Sequence, residues 1–173
     1  MKFNRKQKGF SLIELLIVVA IILIIAAIAI PNLLRAKIAA NEASAVGSTR
    51  TVVTAEVSFS NSFGQGFAPA LANLGGATPC TAVYATACLI DPILSAGTKS
   101  GYTFKTVPNG GSGTTLAPYT GFEANATPLA VGTTGQRAFC ADQSGVLHFN
   151  TAGGAIGTAA GNCAAVGTAG VLQ

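Results

Sequence analysis

The hydrophobic pattern begins with one long, almost uninterrupted apolar run. Between residues 10 and 34 the single charged side chain is Glu14, and residues 15–34 carry no charge. A helix needs about 20 consecutive apolar residues to cross a bilayer. At roughly 1.5 Å of rise per residue, residues 10–34 cover on the order of 37 Å. The run therefore predicts a membrane-spanning helix.

Beyond residue 35 the pattern becomes amphipathic. Small and apolar residues recur at helical spacing, while most charged residues lie off that stripe. We expect one long helix that continues through residues 35–62, with this half packed under a globular head. Pro31 lies inside the helix, where proline removes a hydrogen bond and usually kinks or locally melts the helix. Asn61 and two nearby glycines predict the helix end at residues 61–66.

The second half of the chain is typical of a small antiparallel sheet. Residues 61–101 are predicted to form a long connecting loop with a helical turn around residues 89–94. Four segments rich in aromatic and β-branched residues then predict strands, at residues 102–107, 119–127, 137–141 and 146–150. The tail, residues 151–173, lacks periodicity and is expected to be irregular. The predicted class is α+β, with the apolar helix half protruding and about four antiparallel strands in the head.

The net charge of +4 comes from the first eight residues. They hold four of the ten basic side chains, namely Lys2, Arg5, Lys6 and Lys8. The remaining basic and acidic side chains balance, so the basic character is no evidence for nucleic-acid binding. Only Arg35 and Lys37 follow the apolar run closely. The positive-inside rule therefore predicts a cytoplasmic N-terminus and an external head.

An ordinary secretory signal peptide is an alternative interpretation of the same segment. The basic start, the apolar run and the Ala27-Ile28-Ala29 triplet roughly satisfy that template, with cleavage after Ala29. Against this alternative, the apolar region runs to about 20 residues where a signal peptide has 7–15, and it contains Glu14.

The junction ahead of the apolar run carries a more specific signal. Residues 8–14 read KGFSLIE, and an apolar run and Pro31 follow. This pattern resembles the class III signal of type IV pilins and type II secretion pseudopilins, closely over residues 8 to about 37 and in general layout beyond. In that family, a membrane-embedded prepilin peptidase cuts after the glycine and methylates the new N-terminus. The resemblance implies processing between Gly9 and Phe10, which would remove residues 1–9 as a leader.

The resemblance also gives roles to two residues of the helix. A carboxylate inside an apolar helix is costly, about 2.5–3.5 kcal/mol at mid-membrane, and such residues are usually functional. Cleavage after Gly9 would create a partner for Glu14, the α-amino group of Phe10 on the same or a neighbouring chain. In the resembling family this pairing sets subunit register during assembly; the alternative is a tolerated, protonated Glu14 near the membrane surface. The helix around Pro31 is expected to loosen on packing into a filament.

The four cysteines would meet an oxidising compartment outside the membrane, where disulfides persist. Four cysteines allow three connectivities. We favour Cys80–Cys88, which closes a small loop, and Cys140–Cys163, which ties down the tail. Similar pilins often carry a disulfide that pins a C-terminal loop, which supports the second pair.

The sequence gives little indication of catalysis, and we expect no enzyme activity, metal or cofactor. The acidic residues are scattered, no two cysteines form a CxxC pair, and His148 is the single histidine. His148 alternates with its strand neighbours, and we assign it no role. The Asn125-Ala126-Thr127 triplet matches a glycosylation acceptor, but Pro128 follows it.

These patterns together predict a structural subunit. We expect residues 1–9 as leader, 10–34 as membrane and filament-core helix, 35–62 as the amphipathic half, and 63–173 as the head. The expected partners are other copies of the chain in a helical filament, a prepilin peptidase, the inner membrane before assembly and the pilus assembly machinery. A major pilin is the interpretation that we favour. A type II secretion pseudopilin and a minor or competence pilin are the alternatives.

Overall fold

The computed structural model describes residues 9–163 and 169–172, and it confirms the α+β class. A long helix comes first, short helices follow, and an antiparallel sheet completes the chain. The helices are α1 (Leu12–Phe63), α2 (Leu71–Leu74) and α3 (Pro92–Ser95). The strands are β1 (Thr98–Lys99), β2 (Tyr102–Asn109), β3 (Gly121–Pro128), β4 (Ala138–Asp142), β5 (Leu147–Asn150) and β6 (Ala169–Leu172).

Two compact units follow one another in the chain, one ending at Ala36 and the other beginning at Lys37. In the first unit α1 is helical throughout, including at Pro31. Its large apolar side chains are exposed, from Leu12 (75%) to Leu34 (45%). By length and composition, α1 contains a segment able to cross a membrane. The first unit thus leaves its large apolar side chains uncovered by its own chain.

The second unit, which we call the head (from residue 37 onward), has an ordinary hydrophobic core. The second half of α1 buries one face, through Ala45, Val52, Ala55 and Phe59. These side chains belong to the same core cluster as alternate residues of the sheet, including Tyr102, Phe104, Phe122, Ala124, Phe139 and Leu147. Alternation is expected where one face of a strand points to a core. The predicted amphipathic helix half therefore packs on the sheet.

The sheet contains six strands in the order β1 to β6, each antiparallel to its neighbours in sequence. The prediction of about four strands was therefore too low. The short strand β1 lies in the predicted connecting loop, and β6 lies in the tail that was expected to be irregular. The residues of β6, AGVL, have no strand-like alternation of apolar and polar side chains, and their extended conformation depends on pairing with β5. Strand β2 also runs on through Pro108 and Asn109, which were predicted to begin a turn.

The sheet is covered on both sides near its centre. On the face away from α1, Ala138, Cys140, Ile156 and Cys163 form a second buried cluster. Asn125 donates a hydrogen bond from Nδ2 to the carbonyl of Gly157 at 2.9 Å. This cover explains why seven of the eight residues of β3 are buried, without the usual alternation. From the sequence, the amphipathic half of the helix was expected to pack under the head, and cover on the second face of the sheet was not predicted.

The connecting region between α1 and β1 is built from short, individually anchored pieces. Asp91 caps α3 by accepting a hydrogen bond from the backbone N–H of Leu94, and Pro92 occupies the first turn. Tyr84 packs against Phe59 and Phe63 of α1, with ring centroids 5.2 and 6.0 Å apart. These anchors explain how a long connection with little regular structure follows a defined path.

Candidate functional site: the start of the long helix

The predicted processing site lies immediately outside α1. Gly9 and Phe10 are exposed and non-helical, and the Phe10 side chain is 79% exposed. A β-carbon added to Gly9 would meet no atom within 4 Å. Glycine is therefore not required at this position by the fold of the chain itself. The rest of the predicted leader, residues 1–8, lies outside the described residues.

Glu14 and Ser11 together define the start of α1. The Ser11 backbone N–H donates to Oε2 of Glu14 at 3.0 Å, and the Leu15 N–H donates to the Ser11 carbonyl at 3.2 Å. A carboxylate three residues after the N-cap that accepts from the N-cap N–H is one half of a capping box. Its negative charge also lies at the positive end of the helix dipole. The Ser-x-x-Glu spacing is the sequence signal for this contact, although the contact was not among those predicted.

Glu42 and Arg137 form the main polar connection between α1 and the sheet. Oε2 of Glu42 accepts from Nε of Arg137 at 2.9 Å, and Nη2 of Arg137 lies 2.7 Å from the same oxygen. Oε1 accepts from the backbone N–H groups of Gln136 and Arg137. Burial alone would raise the pKa of Glu42, but the hydrogen bonds and charge of Arg137 outweigh it, and the pKa is lowered. This carboxylate is thus held in its ionised form.

Two other carboxylates of the head are buried and form no ion pair with any described residue. Glu56 is fully buried, and its Oε2 accepts from the backbone N–H of Ala68 at 2.8 Å. Glu123 is 1% exposed, and its Oε1 accepts from the backbone N–H of Asn162 at 2.7 Å. In each residue the second oxygen has no hydrogen-bond partner among the described residues. Burial raises the pKa of both carboxyl groups, that of Glu56 to about 7.

The four cysteines form two disulfides in the head. Cys80 and Cys88 are bonded, with their Cα atoms 6.0 Å apart. Cys140 and Cys163 are bonded, with their Cα atoms 5.8 Å apart, and this bond joins the C-terminal segment to β4. Both pairs correspond to the connectivity favoured from the sequence.

Asn125 and His148, the remaining residues considered from the sequence, both lie on strands of the sheet. Asn125 is 4% exposed, and its amide is bonded to Gly157, so the glycosylation triplet is not accessible in the folded head. His148 lies on β5 opposite Cys140 of β4. Within the described residues, no group of three or more His, Cys, Asp or Glu side chains could hold a metal ion.

The comparison with protein families matches the start of the chain. The family described as "Prokaryotic N-terminal methylation motif" matches residues 4–30. The matched range contains Gly9, Phe10 and Glu14 and ends one residue before Pro31.

Two curated proteins are similar to part of this chain. The type IV major pilin protein PilA of Myxococcus xanthus is 47% identical over 58 residues, which are 34% of this chain. The type IV wide pilus major component PilA4 of Thermus thermophilus is 59% identical over 51 residues, 30% of this chain. The similarity spans 26% and 33% of the lengths of these two relatives. No solved structure matches the chain.

Proposed function

We propose that this chain belongs to the type IV pilin family and is a structural subunit of a type IV pilus-like filament. The family assignment rests on the methylation motif and on the similarity to two major pilins. The chain would be made as a membrane precursor, cut between Gly9 and Phe10 and polymerised through α1. A major pilin is the form that we favour, because both relatives are major components of their pili.

One observation carries the proposal: a long apolar surface begins directly after an exposed Gly9–Phe10 bond. The large apolar side chains between Leu12 and Leu34 are all at least 43% exposed within their own chain. Such a surface needs lipid or protein around it, because contiguous apolar patches of this size mark interaction sites. A bilayer satisfies this need in the precursor, and other copies of α1 satisfy it in a filament. Since both surroundings are apolar, the exchange requires little net change in hydrophobic burial.

Glu14 would fix the axial position of neighbouring subunits, because it is the one charged side chain on this otherwise apolar surface. Its contact with the Ser11 N–H supplies a neutral donor but no counter-charge. An ionised carboxylate in an apolar filament core favours positions where a cation is near. After cleavage, the α-amino group of Phe10 on a neighbouring copy is the nearest candidate. We therefore propose that pairing of Glu14 with this group selects the axial position of each subunit.

The proposed partners follow from this sequence of events. A prepilin peptidase would recognise Gly9 and Phe10, the inner membrane would hold the precursor, and the pilus assembly machinery would extract it. The four basic residues of the leader support an orientation with the N-terminus in the cytoplasm. In the oxidising space outside the membrane, the two disulfides of the head would be stable.

Shearing of cells tests the proposal. The sheared material is separated from the cells, and the amount and N-terminal mass of this protein are measured in both fractions. Abundant sheared protein that begins at methylated Phe10 is expected for a major pilin. Processed protein that stays in the envelope would instead indicate a type II secretion pseudopilin or a minor pilin. An N-terminus that begins at Ile30, after cleavage at Ala29, would contradict the proposal.

A further inference from the structure

Glu56 occupies an unusual position for a carboxylate of the head. It lies on the core-facing side of α1, between the buried residues Ala55 and Phe59, and its side chain is fully buried. Its one hydrogen bond in the structure links it to the backbone N–H of Ala68, 12 residues further along the chain. Its other oxygen, Oε1, has no partner among the described residues. A buried carboxylate with an unpaired oxygen is costly when it is ionised.

No element described around Glu56 supplies a counter-ion. On α1 the nearest charged residue in the sequence is Arg50, and residues 57–90 contain no Asp, Glu, Lys, Arg or His. Residues 57–90 contain one tyrosine, Tyr84. The core-facing side of the sheet also contributes a tyrosine, Tyr102. Neither tyrosine is a cation.

The acidic residues of the neighbouring strands do not change this environment. By strand alternation, Glu123 and Asp142 lie on the other face of the sheet. The pKa of Glu56 is accordingly raised by burial and lowered in part by the Ala68 N–H, with no contribution from another charge. The charge state of this carboxyl is therefore set by burial.

The contact partner of Glu56 belongs to the segment that leaves α1. We call residues 64–74 the post-helix segment. Besides the Glu56 bond, it is held by the Phe67 N–H, which donates to the Tyr119 carbonyl at 3.2 Å, and by the Phe67 ring, whose centroid lies 4.8 Å from that of Phe122. Its last turn buries two leucines in the same core. This segment therefore covers Glu56 and excludes water from it.

We propose that Glu56 is a proton-operated latch that controls how firmly the post-helix segment is held on α1. The protonated side chain can stay buried, still accepting from Ala68, with no charge to solvate. Loss of the proton leaves an unpaired charge in the core, and water reaches that charge only if the post-helix segment opens.

The direction of the pH effect follows from the two protonation equilibria. In the closed head the pKa of Glu56 is about 7, against 4.5 for a solvated glutamate. Between these values the open form has released the proton and the closed form still holds it, so opening becomes easier as pH rises. We expect the opening constant to increase about 40-fold from pH 5 to pH 7 and less than about twofold from pH 7 to pH 8.

Hydrogen exchange at the Ala68 amide tests the latch directly. The processed full-length chain is studied in detergent micelles, and exchange rates from pH 5 to pH 8 are divided by the intrinsic rates to give opening constants. Wild-type protein should show the roughly 40-fold rise and plateau described above. Glu56→Gln keeps an acceptor for Ala68 but cannot ionise, so its opening constant should not change with pH. The Leu94 amide, bonded to Asp91, is the internal control, because the pKa of Asp91 is lowered from 3.8 and this group stays ionised throughout the range.

Two results would overturn the proposal: a pH-independent opening constant in the wild type, or the same rise in Glu56→Gln. If Glu56→Gln does not fold, the carboxyl carbon of Glu56 can be titrated by NMR in the wild-type protein. A midpoint near 7 supports the latch, and a midpoint near 4.5 contradicts it.

Discussion

The two units of this chain differ in the exposure of their apolar side chains and in the burial of their carboxylates. From Leu12 to Leu34 the large apolar side chains stay exposed, and the one carboxylate, Glu14, lies at the helix start. The head buries five aromatic side chains, among them Tyr102 and Phe122, and it also buries two carboxylates that have no ion pair among the described residues, Glu56 and Glu123. One α-helix, α1, runs through both units. The same α-helix is therefore exposed in the first unit and packed in a hydrophobic core in the second.

This difference indicates where the stability of each unit comes from. The head contains its own core, two disulfides and the Glu42–Arg137 pair, so it can be understood from its own residues. The apolar segment has no such contacts among the described residues, and we propose that lipid or other copies of the chain surround it. Substitutions in the first unit should accordingly change processing and assembly, whereas substitutions in the head should change stability.

The largest effect is expected at the proposed processing site. Gly9→Val should leave nearly all of the protein as uncut precursor, because the proposed peptidase must accommodate the residue before the cut. The fold gives no reason to expect another defect, since a β-carbon at Gly9 meets no neighbour. Gly9→Ala is the matched control and should be processed nearly normally. The ratio of precursor to mature protein on a gel measures this, and normal processing of Gly9→Val would refute the cleavage site.

Glu14→Ala should give a stable, processed membrane protein that fails to polymerise alone. Without the Glu14 carboxylate, no charge remains whose pairing favours one register over another. The cost of leaving such a charge unpaired in an apolar environment can reach about 2.5–3.5 kcal/mol. We expect the yield of sheared filaments to fall at least about tenfold. The thermal stability of the head should stay unchanged. Filaments of Glu14→Ala at the normal yield would show that the register argument is wrong.

Among changes in the head, removal of the longer disulfide should cost most. Cys140 and Cys163 are 23 residues apart, and Cys80 and Cys88 are 8 apart. The chain-entropy estimate gives about 3.5 kcal/mol for the longer loop and about 2.6 kcal/mol for the shorter one. Paired Cys→Ser variants should therefore differ by about 1 kcal/mol in the free energy of unfolding of the head. Denaturant titration measures this, and a larger loss from the Cys80–Cys88 variant would contradict the expectation.

A smaller effect is expected from the ion pairs. Arg137→Ala leaves the mostly buried carboxylate of Glu42 with its two backbone N–H donors but no cation. A loss of roughly 1.5–3 kcal/mol is typical for hydrogen bonds to charged groups, and partial exposure of Arg137 places the expected loss near the lower end. Lys99→Ala removes the exposed Lys99–Asp91 pair and should cost less than about 1 kcal/mol. Equal losses in the two variants would show that burial of Glu42 does not matter.

Some of this architecture could be predicted from sequence because it depends on local patterns. The apolar run needs no tertiary information, and strands β2 to β5 lie in segments rich enough in aromatic and β-branched residues to be found. Strand β6 could not be found, because AGVL forms a strand only through its pairing with β5. The Glu42–Arg137 pair spans 95 residues, and burial of Glu56 depends on where the post-helix segment runs. The Ser11–Glu14 contact, by contrast, is local and could have been predicted from its spacing.

Chemical crosslinking within the apolar segment tests the central claim most directly. Ile22, in the middle of this segment, is replaced by cysteine, and the protein is treated with a bifunctional maleimide in sheared filaments and in membranes that hold the uncut Gly9→Val precursor. If other copies of α1 replace lipid around this segment, filaments should give crosslinked dimers, while the membrane precursor stays largely monomeric. Filaments whose Ile22→Cys subunits remain monomeric, although the cysteine is present and the reagent is active, would contradict the account.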